Sequence, residues 1–260
     1  MGVSAVVLAR DEAVRIAKCL DTLKWCDEIV VLVDDASKDE TESIARQYTP
    51  HVSRRAFSNF GEQRRFADSL ASHEWVLSID CDEVVSAALA AEVSTTIAQP
   101  KHAGYRVPHM DYMFGRWIRH GGWFPQYHTR LYRRSSAKWE RTVHELLVVD
   151  GSLGTLREPI QHFAHVRVDD WVRKMARYTS AEAEAHVKMG ERTSLLRALL
   201  EPPGYFIFKY ILQRGFLDGA HGLALACLLT AYRSVMHWKW WDLQQNQQGP
   251  KESPDCPPRM

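Results

Sequence analysis

The chain has 260 residues, 45% of them hydrophobic and 25% charged, enough to bury a full core as one domain or one domain with an appendage. That composition excludes a disordered or fibrous protein. A net charge of +1 gives no bulk reason to bind nucleic acid, although the C-terminal half is locally basic and aromatic.

Residues 3–9 are short, β-branched and closed by Arg10-Asp11-Glu12, which predicts a fully buried strand. No basic leader precedes it, and no stretch of the chain reaches about eighteen apolar residues, so neither secretion nor a membrane span is expected. Ala13, Ile16, Ala17, Leu20 and Leu23 recur at three and four and predict a helix that ends at residues 25–27. A second buried strand over 28–34, a turn over 35–39 and a helix through Ile44, Ala45 and Tyr48 follow. This β-α-β-α order is the pattern of a parallel sheet covered on both faces.

Residues 51–55 predict a weaker third strand, and 60–71 a helix whose Phe60, Phe66, Ala67 and Leu70 face the sheet. The fourth strand, from Trp75, stops in Asp80-Cys81-Asp82-Glu83. Two carboxylates at i and i+2 around a tight turn suit a hard divalent cation that also holds substrate phosphates. An acidic turn, with Glu83 serving the next helix as an N-terminal charge, is the competing reading. Ligands in open α/β sheets gather at the carboxyl ends of strands, where this chain places Arg10-Asp11-Glu12, Asp34-Asp35 and Asp80-Cys81-Asp82.

A helix over 86–98 precedes strand-like runs at 104–110, 129–134, 138–143 and 160–166. Between them, residues 115–125 mix glycines, aromatics and cations, the make-up of a binding loop. Helices are expected over 170–189, 194–200 and 205–241, with a break near Gly215, and the Gln- and Pro-rich residues 244–260 are expected to be disordered. Domain boundaries are placed at 1–166, 167–243 and 244–260. The cysteines, Cys19, Cys26, Cys81, Cys227 and Cys256, form no C-x-x-C pair and are odd in number, which argues for reduced thiols and a cytoplasmic location.

Four runs together resemble the family-2 glycosyltransferases with a GT-A fold, which use nucleotide-diphosphate sugars: Val-Val-Leu-Ala-Arg-Asp-Glu (6–12), Val-Asp-Asp-Ala-Ser-Lys-Asp-Glu-Thr (33–41), Phe-Gly-Glu-Gln-Arg-Arg (60–65) and Ile-Asp-Cys-Asp-Glu (79–83). The run 116–123, Arg-Trp-Ile-Arg-His-Gly-Gly-Trp, and Val-His-Glu (143–145) are similar to the subgroup that adds glucose, β-1,4, to a heptose of the lipopolysaccharide inner core. The family usually has Asn where Asp11 stands and often Asn where Arg65 stands. The resemblance implies an α/β GT-A fold, Rossmann-like, with a mostly parallel sheet, helices on both faces and a C-terminal helical extension. It implies a donor such as UDP-glucose, a lipid-linked saccharide acceptor, and Mg²⁺ or Mn²⁺.

By the same resemblance, Ala9, Arg10, Glu12, Asp34, Arg64 and Asp80 serve the donor, and Asp80 and Asp82 the metal. A helix cap is the alternative for Asp34, and a solvated helix-face cation for Arg64. Inverting transfer needs a base opposite the leaving group, for which Glu145 is the first choice and Asp111 the second; a surface acid paired with Arg141 is the alternative for Glu145. Trp117 and Trp123, with Phe124, offer flat faces to an acceptor sugar, or else form a core-and-rim cluster. Arg119, Arg130 and His144 complete the acceptor set, the arginines meeting phosphate or carboxylate. His144-Glu145 lacks the second histidine of a metalloprotease motif, and His162 and His165, three apart on a strand, face opposite sides and read as ordinary histidines.

The final helix carries an apolar face through Leu225, Leu228, Leu229, Tyr232, Val235 and Met236. Lys209, Arg214, Arg233 and Lys239, with Trp238, Trp240 and Trp241, would let it lie on the cytoplasmic face of the inner membrane as a peripheral contact. Packing on the catalytic domain or on a second copy, as a homo-oligomer, is the alternative. Transfer to a polyprenyl phosphate or another glycan, and a non-catalytic nucleotide-binding scaffold, are the rival functions.

Overall fold

The computed structural model describes residues 2–140, 146–164 and 168–247. The first compact unit comprises residues up to Trp117 and again Trp123–Ala164. It opens with the alternation β1 (Val3–Ala9), α1 (Ile16–Asp21), β2 (Glu28–Asp34), α2 (Thr41–Ala45), β3 (Val52–Arg55), α3 (Phe60–Leu70) and β4 (Trp75–Asp80). Then come β5 (Glu83–Val84), α4 (Ala87–Ala98), β6 (Gly104–Met113), β7 (Arg116–Trp117), β8 (Gln126–Arg133), β9 (Ala137–Glu140), β10 (Leu146–Val149), β11 (Leu153–Thr155) and β12 (Ile160–Ala164).

Among the described residues the main sheet runs β3-β2-β1-β4-β8-β6-β12-β5, with β7 and β11 also paired to β6. Its first half is parallel: β1 lies between β2 and β4, and β2 pairs β3. The direction reverses at β4–β8, and β6 is antiparallel to β8 but parallel to β12. The sheet is therefore mixed, with the strand carrying Asp80 at the seam.

Alternation along β1 explains the two cores. Val3, Ala5, Val7 and Ala9 join Ile16 and Leu20 of α1 and Leu89 and Val93 of α4, whereas Val6 joins Val30, Leu32, Ala67 of α3 and Trp139 of β9. Ser86 caps α4 and Asn59 caps α3, each accepting the backbone N–H three residues on. Ala67 is buried, with Phe66 and Leu70 packed beside it. Phe60, however, is half exposed and meets Phe57 edge-to-face outside the core.

The second unit holds Ile118–Gly122 and the helices that follow Ala164: α5 (Val168–Lys188), α6 (Leu195–Ile207), a π turn (Phe208–Leu212), a 3-10 turn (Gly215–Asp218) and α7 (Gly219–Gln247). The sequence reading ended a helix at 200, yet α6 runs on through Pro202 and Pro203 to Ile207. Residues 244–247, expected to be disordered, are the last turn of α7; 248–260 lie outside the described residues. Gly215–Asn246 is long and apolar enough, by length and composition, to cross a membrane, which corrects the expectation that no segment is.

Part of the apolar face expected to lie on lipid packs inside this unit, while Leu228, Leu229, Tyr232 and Val235 stay half-buried. Leu225, Met236 and Trp240 are buried, Met236 and Trp240 with Ala183 of α5. Arg233 pairs Glu201 at 3.0 Å and Glu182 at 3.7 Å, and the Lys239 ammonium donates to the Ala176 carbonyl, Thr179 and Ser180. Both cations are thus spent within the unit, and of the three tryptophans Trp238 is the exposed one.

Candidate active site

The loops after β1 and β2 are stitched to each other. Asp11 has a left-handed backbone (φ 52°), a conformation Asp and Asn tolerate best after glycine. Its N–H donates to Ser37 Oγ and its carboxylate accepts from the Lys38 N–H. The Glu12 and Ala13 N–H groups donate to Thr41 and Asp39. Asp34, buried at the end of β2, accepts from the Ala36 N–H at 2.9 Å and from Arg10 at 3.2 Å, so it shapes this turn and does not cap α2. Ala9, Arg10, Glu12 and Asp34 thereby share one rim.

At the end of β4 the turn is closed by Glu83, which accepts the Asp80 N–H at 2.8 Å and is 1% exposed. Glu83 lies in β5, paired with Gln161 and His162 of β12, and does not serve α4 as a terminal charge. Arg64, on the buried face of α3, donates to Ser78 Oγ at 3.0 Å and to Asp80 Oδ1 at 2.9 Å. The solvated-cation alternative for Arg64 is therefore wrong. Arg130 of β8 donates to Asp80 Oδ2 at 2.7 Å and to Glu83 at 2.5 Å. Burial would raise the Asp80 carboxyl, but Arg130 and Arg64 outweigh it and hold the group well below the usual carboxylate range. Arg130, expected to meet the acceptor, instead lies buried beneath the acid turn.

Both Asp80 oxygens are engaged by guanidinium groups, and Asp82 faces a different neighbourhood. Its carboxylate, a quarter exposed, lies 3.4 Å from His162 Nε2 and 3.8 Å from Arg15. His162 Nδ1 is 2.7 Å from Asp111 Oδ1 on the adjacent β6. Burial lowers the imidazole's affinity for a proton, but hydrogen bonds to Asp111 and Asp82 prevail and carry it up to about 10. The imidazolium thus neutralises two carboxylates. His109, next along β6, is held neutral by burial and by Arg130, whose Nε lies 3.4 Å from its Nε2.

His109, Asp111 and His162 can bring one ligand atom each within 4.8 Å of one another. Carboxylate oxygen suits Mg²⁺ or Mn²⁺, whereas imidazole nitrogen favours transition metals, so the mixed set matches Mn²⁺ better than Mg²⁺. Asp82 is less committed than Asp80, whose charge is already compensated twice, and could share an ion with His162 only once the ring gives up its proton, with Asp111 orienting the ring from its other nitrogen. His162, read as an ordinary histidine, is the residue the sequence reading missed. The rule of opposite faces separates it from His165 but not from acids on neighbouring strands.

Trp117 packs edge-to-face on Phe124 at 5.3 Å, and Trp123 is half-buried. Arg119 belongs to the second unit, where its N–H and that of His120 donate to the buried Asp218 carboxylate at 3.1 and 2.8 Å. Gly121 and Gly122 have positive φ there, and a Cβ on Gly122 would strike Gln213. Glu145 and His144, the first choice of base and its neighbour, lie outside the described residues.

The sequence model of glycosyl transferase family 2 matches residues 4–144. An uncharacterised glycosyltransferase of Rickettsia felis is 28% identical over 235 residues, covering 85% of this chain and 82% of that protein. The lipopolysaccharide core biosynthesis glycosyltransferase LpsC of Rhizobium meliloti is 26% identical over 244 residues, covering 88% and 90%. The crystal structure of S. aureus TarS 1-349 with UDP superposes with a TM-score of 0.48 at 14% identity, over 98% of this chain and 94% of that one. The family's match spans the parallel strands, the acid turn after β4, and β6 and β8 beside it, and the chain belongs to glycosyl transferase family 2.

Proposed function

We propose that the protein transfers a hexose, glucose, from a nucleotide-diphosphate sugar such as UDP-glucose to a saccharide of the lipopolysaccharide inner core or another lipid-linked saccharide, inverting the anomeric centre. The observation that carries this reading is the meeting of Asp34, Asp80, Asp82 and His162 at the carboxyl ends of parallel strands and beside them. The printed role of LpsC in core biosynthesis supports the acceptor class.

Each residue has a distinct task in this reading. Asp34, fixed by Ala36 and Arg10, accepts hydrogen bonds from the base or ribose. Asp80, locked by two arginines, presents a rigid edge to the ribose and keeps the turn in shape. Asp82 and His162, the ring oriented by Asp111 and its proton displaced by the ion, would hold Mn²⁺ or Mg²⁺, which when bound neutralises the departing diphosphate. The base that takes the acceptor hydroxyl's proton is Glu145 or Asp111; Asp111 already bonds His162, which favours Glu145. Trp117 and Trp123 remain the proposed acceptor contacts, and Arg119 is proposed separately to meet acceptor phosphate or carboxylate.

A thermal-shift panel of nucleotide sugars with Mn²⁺ tests the donor, because a ligand that binds the folded state raises its apparent stability by mass action. UDP-glucose with Mn²⁺ should give the largest shift. A larger shift with another nucleotide sugar reassigns the donor, and none with any of them removes the reading.

A further inference from the structure

Beyond the transferase site, the second unit leaves one long apolar face uncovered. Leu195, Leu196, Leu199, Leu200 and Ile207 lie on α6, and Phe208, Ile211 and Leu212 on the π turn that continues it. All eight side chains are 44% to 68% exposed. The opposite side of α6 is satisfied: Ala198 and Pro202 are buried, and Glu201 pairs with Arg233 of α7. The exposed positions are thus not the inner face of a helix. At about 100° per residue these α6 positions spread over roughly 140° of the helix surface, a broad face, and the exposed Phe208, Ile211 and Leu212 continue it into the π turn. Phe216 and Leu217, both exposed, extend the face into the 3-10 turn.

Contiguous apolar exposure of this extent marks an interaction surface. Its flanks indicate the partner. Between residues 192 and 217 the chain carries Arg192, Arg197, Lys209 and Arg214 against one acid, the inward-paired Glu201. Arg192 and Arg214 are exposed, whereas the Arg197 guanidinium lies over the Trp240 ring of α7 and the Lys209 ammonium is held by the Gly121 carbonyl. A second copy docked by the same face would set these cations against each other, since a two-fold interface brings each patch onto itself. Anionic headgroups complement them, and acyl chains accept the leucines, isoleucines and phenylalanines.

We propose that the face built by α6, the π turn and Phe216-Leu217 docks the protein peripherally on an anionic lipid bilayer. It differs from the α7 face, of which Leu225, Met236, Arg233 and Lys239 are engaged inside the helical unit. The proposal holds whichever sugar is transferred.

Vesicle flotation of the full chain tests it, using phosphatidylcholine vesicles with or without phosphatidylglycerol. The wild type should float with the anionic vesicles at low salt and be released at high salt. The double variant Leu200→Glu/Phe208→Glu should partition at least about tenfold more weakly, since each substitution puts a charge where an apolar anchor entered the bilayer. Light scattering of both proteins without lipid supplies a second readout that does not depend on vesicles. A wild type that floats with no vesicle overturns the proposal, as does a variant that floats equally well. A wild-type dimer that the variant converts to monomer assigns the face to a second copy and overturns it too.

Discussion

The Arg130 guanidinium lies 2.7 Å from the Asp80 carboxylate and reaches across the seam between the parallel and antiparallel halves of the sheet. The same guanidinium holds Glu83, so one buried cation fixes both the first acid of the turn and the residue that closes it. Arg130→Ala would leave Glu83 buried without its partner, and loss of one member of a buried ion pair costs about 3–5 kcal/mol. Urea denaturation should show a destabilisation of that order. A variant as stable as the wild type would mean that Arg130 contacts ligand and does not support the turn.

Asp82 and His162 are expected to carry the divalent ion, with Asp80 acting through shape. Titration of Mn²⁺ followed by calorimetry should show Asp82→Asn and His162→Ala weakening binding by at least about tenfold, while Asp80→Asn weakens it less. The reverse order would return the metal to Asp80.

Removal of the base should separate binding from chemistry. Glu145→Gln is expected to bind the donor normally while losing about 10²–10⁴-fold in transfer rate. Asp111→Asn should act on metal affinity through His162. If Asp111→Asn instead abolishes turnover with metal binding intact and Glu145→Gln remains active, the role passes to Asp111.

Away from the site, Asp68 sits buried between the Tyr132 hydroxyl and the Trp139 indole N–H, both of which donate to it. Burial, opposed by those hydrogen bonds and by Arg64, pushes its carboxyl up to about 6 from an ordinary 3.8. Because the folded value is the higher one, the stabilisation is fully present below about pH 4 and is lost as pH rises through about 6. Asp68→Asn cannot ionise, so its stability relative to wild type should improve by up to about 3 kcal/mol between pH 4 and 7. Parallel pH profiles of the two proteins would contradict this.

The strands β1, β2 and β4 were legible because each is a short apolar run ending in charge, and that alone placed Asp34 and Asp80 at the carboxyl ends of strands. The partners of these acids were not legible. Arg130 and Asp80 are fifty residues apart, and His162 and Asp82 eighty; strand order alone brings them together, through β8 and β12. Local reasoning left a surface cation open as the alternative for Arg64 because helix propensity says nothing about which face meets a carboxylate. The amphipathic pattern of α7 was real, but part of its apolar side met α5 and α6, and the more exposed apolar face fell on α6, which runs on past residue 200.

The central claim is that the acid turn after β4 supports metal-dependent transfer from a nucleotide-diphosphate hexose, and turnover of UDP-glucose tests it most directly. Release of UDP should be followed with Mn²⁺ and with excess chelator, with and without a lipopolysaccharide inner-core acceptor, for wild type and Asp82→Ala. The predicted result is turnover that requires Mn²⁺, rises with acceptor and disappears in a folded Asp82→Ala. Full activity in chelator, or an equally active Asp82→Ala, would contradict the account.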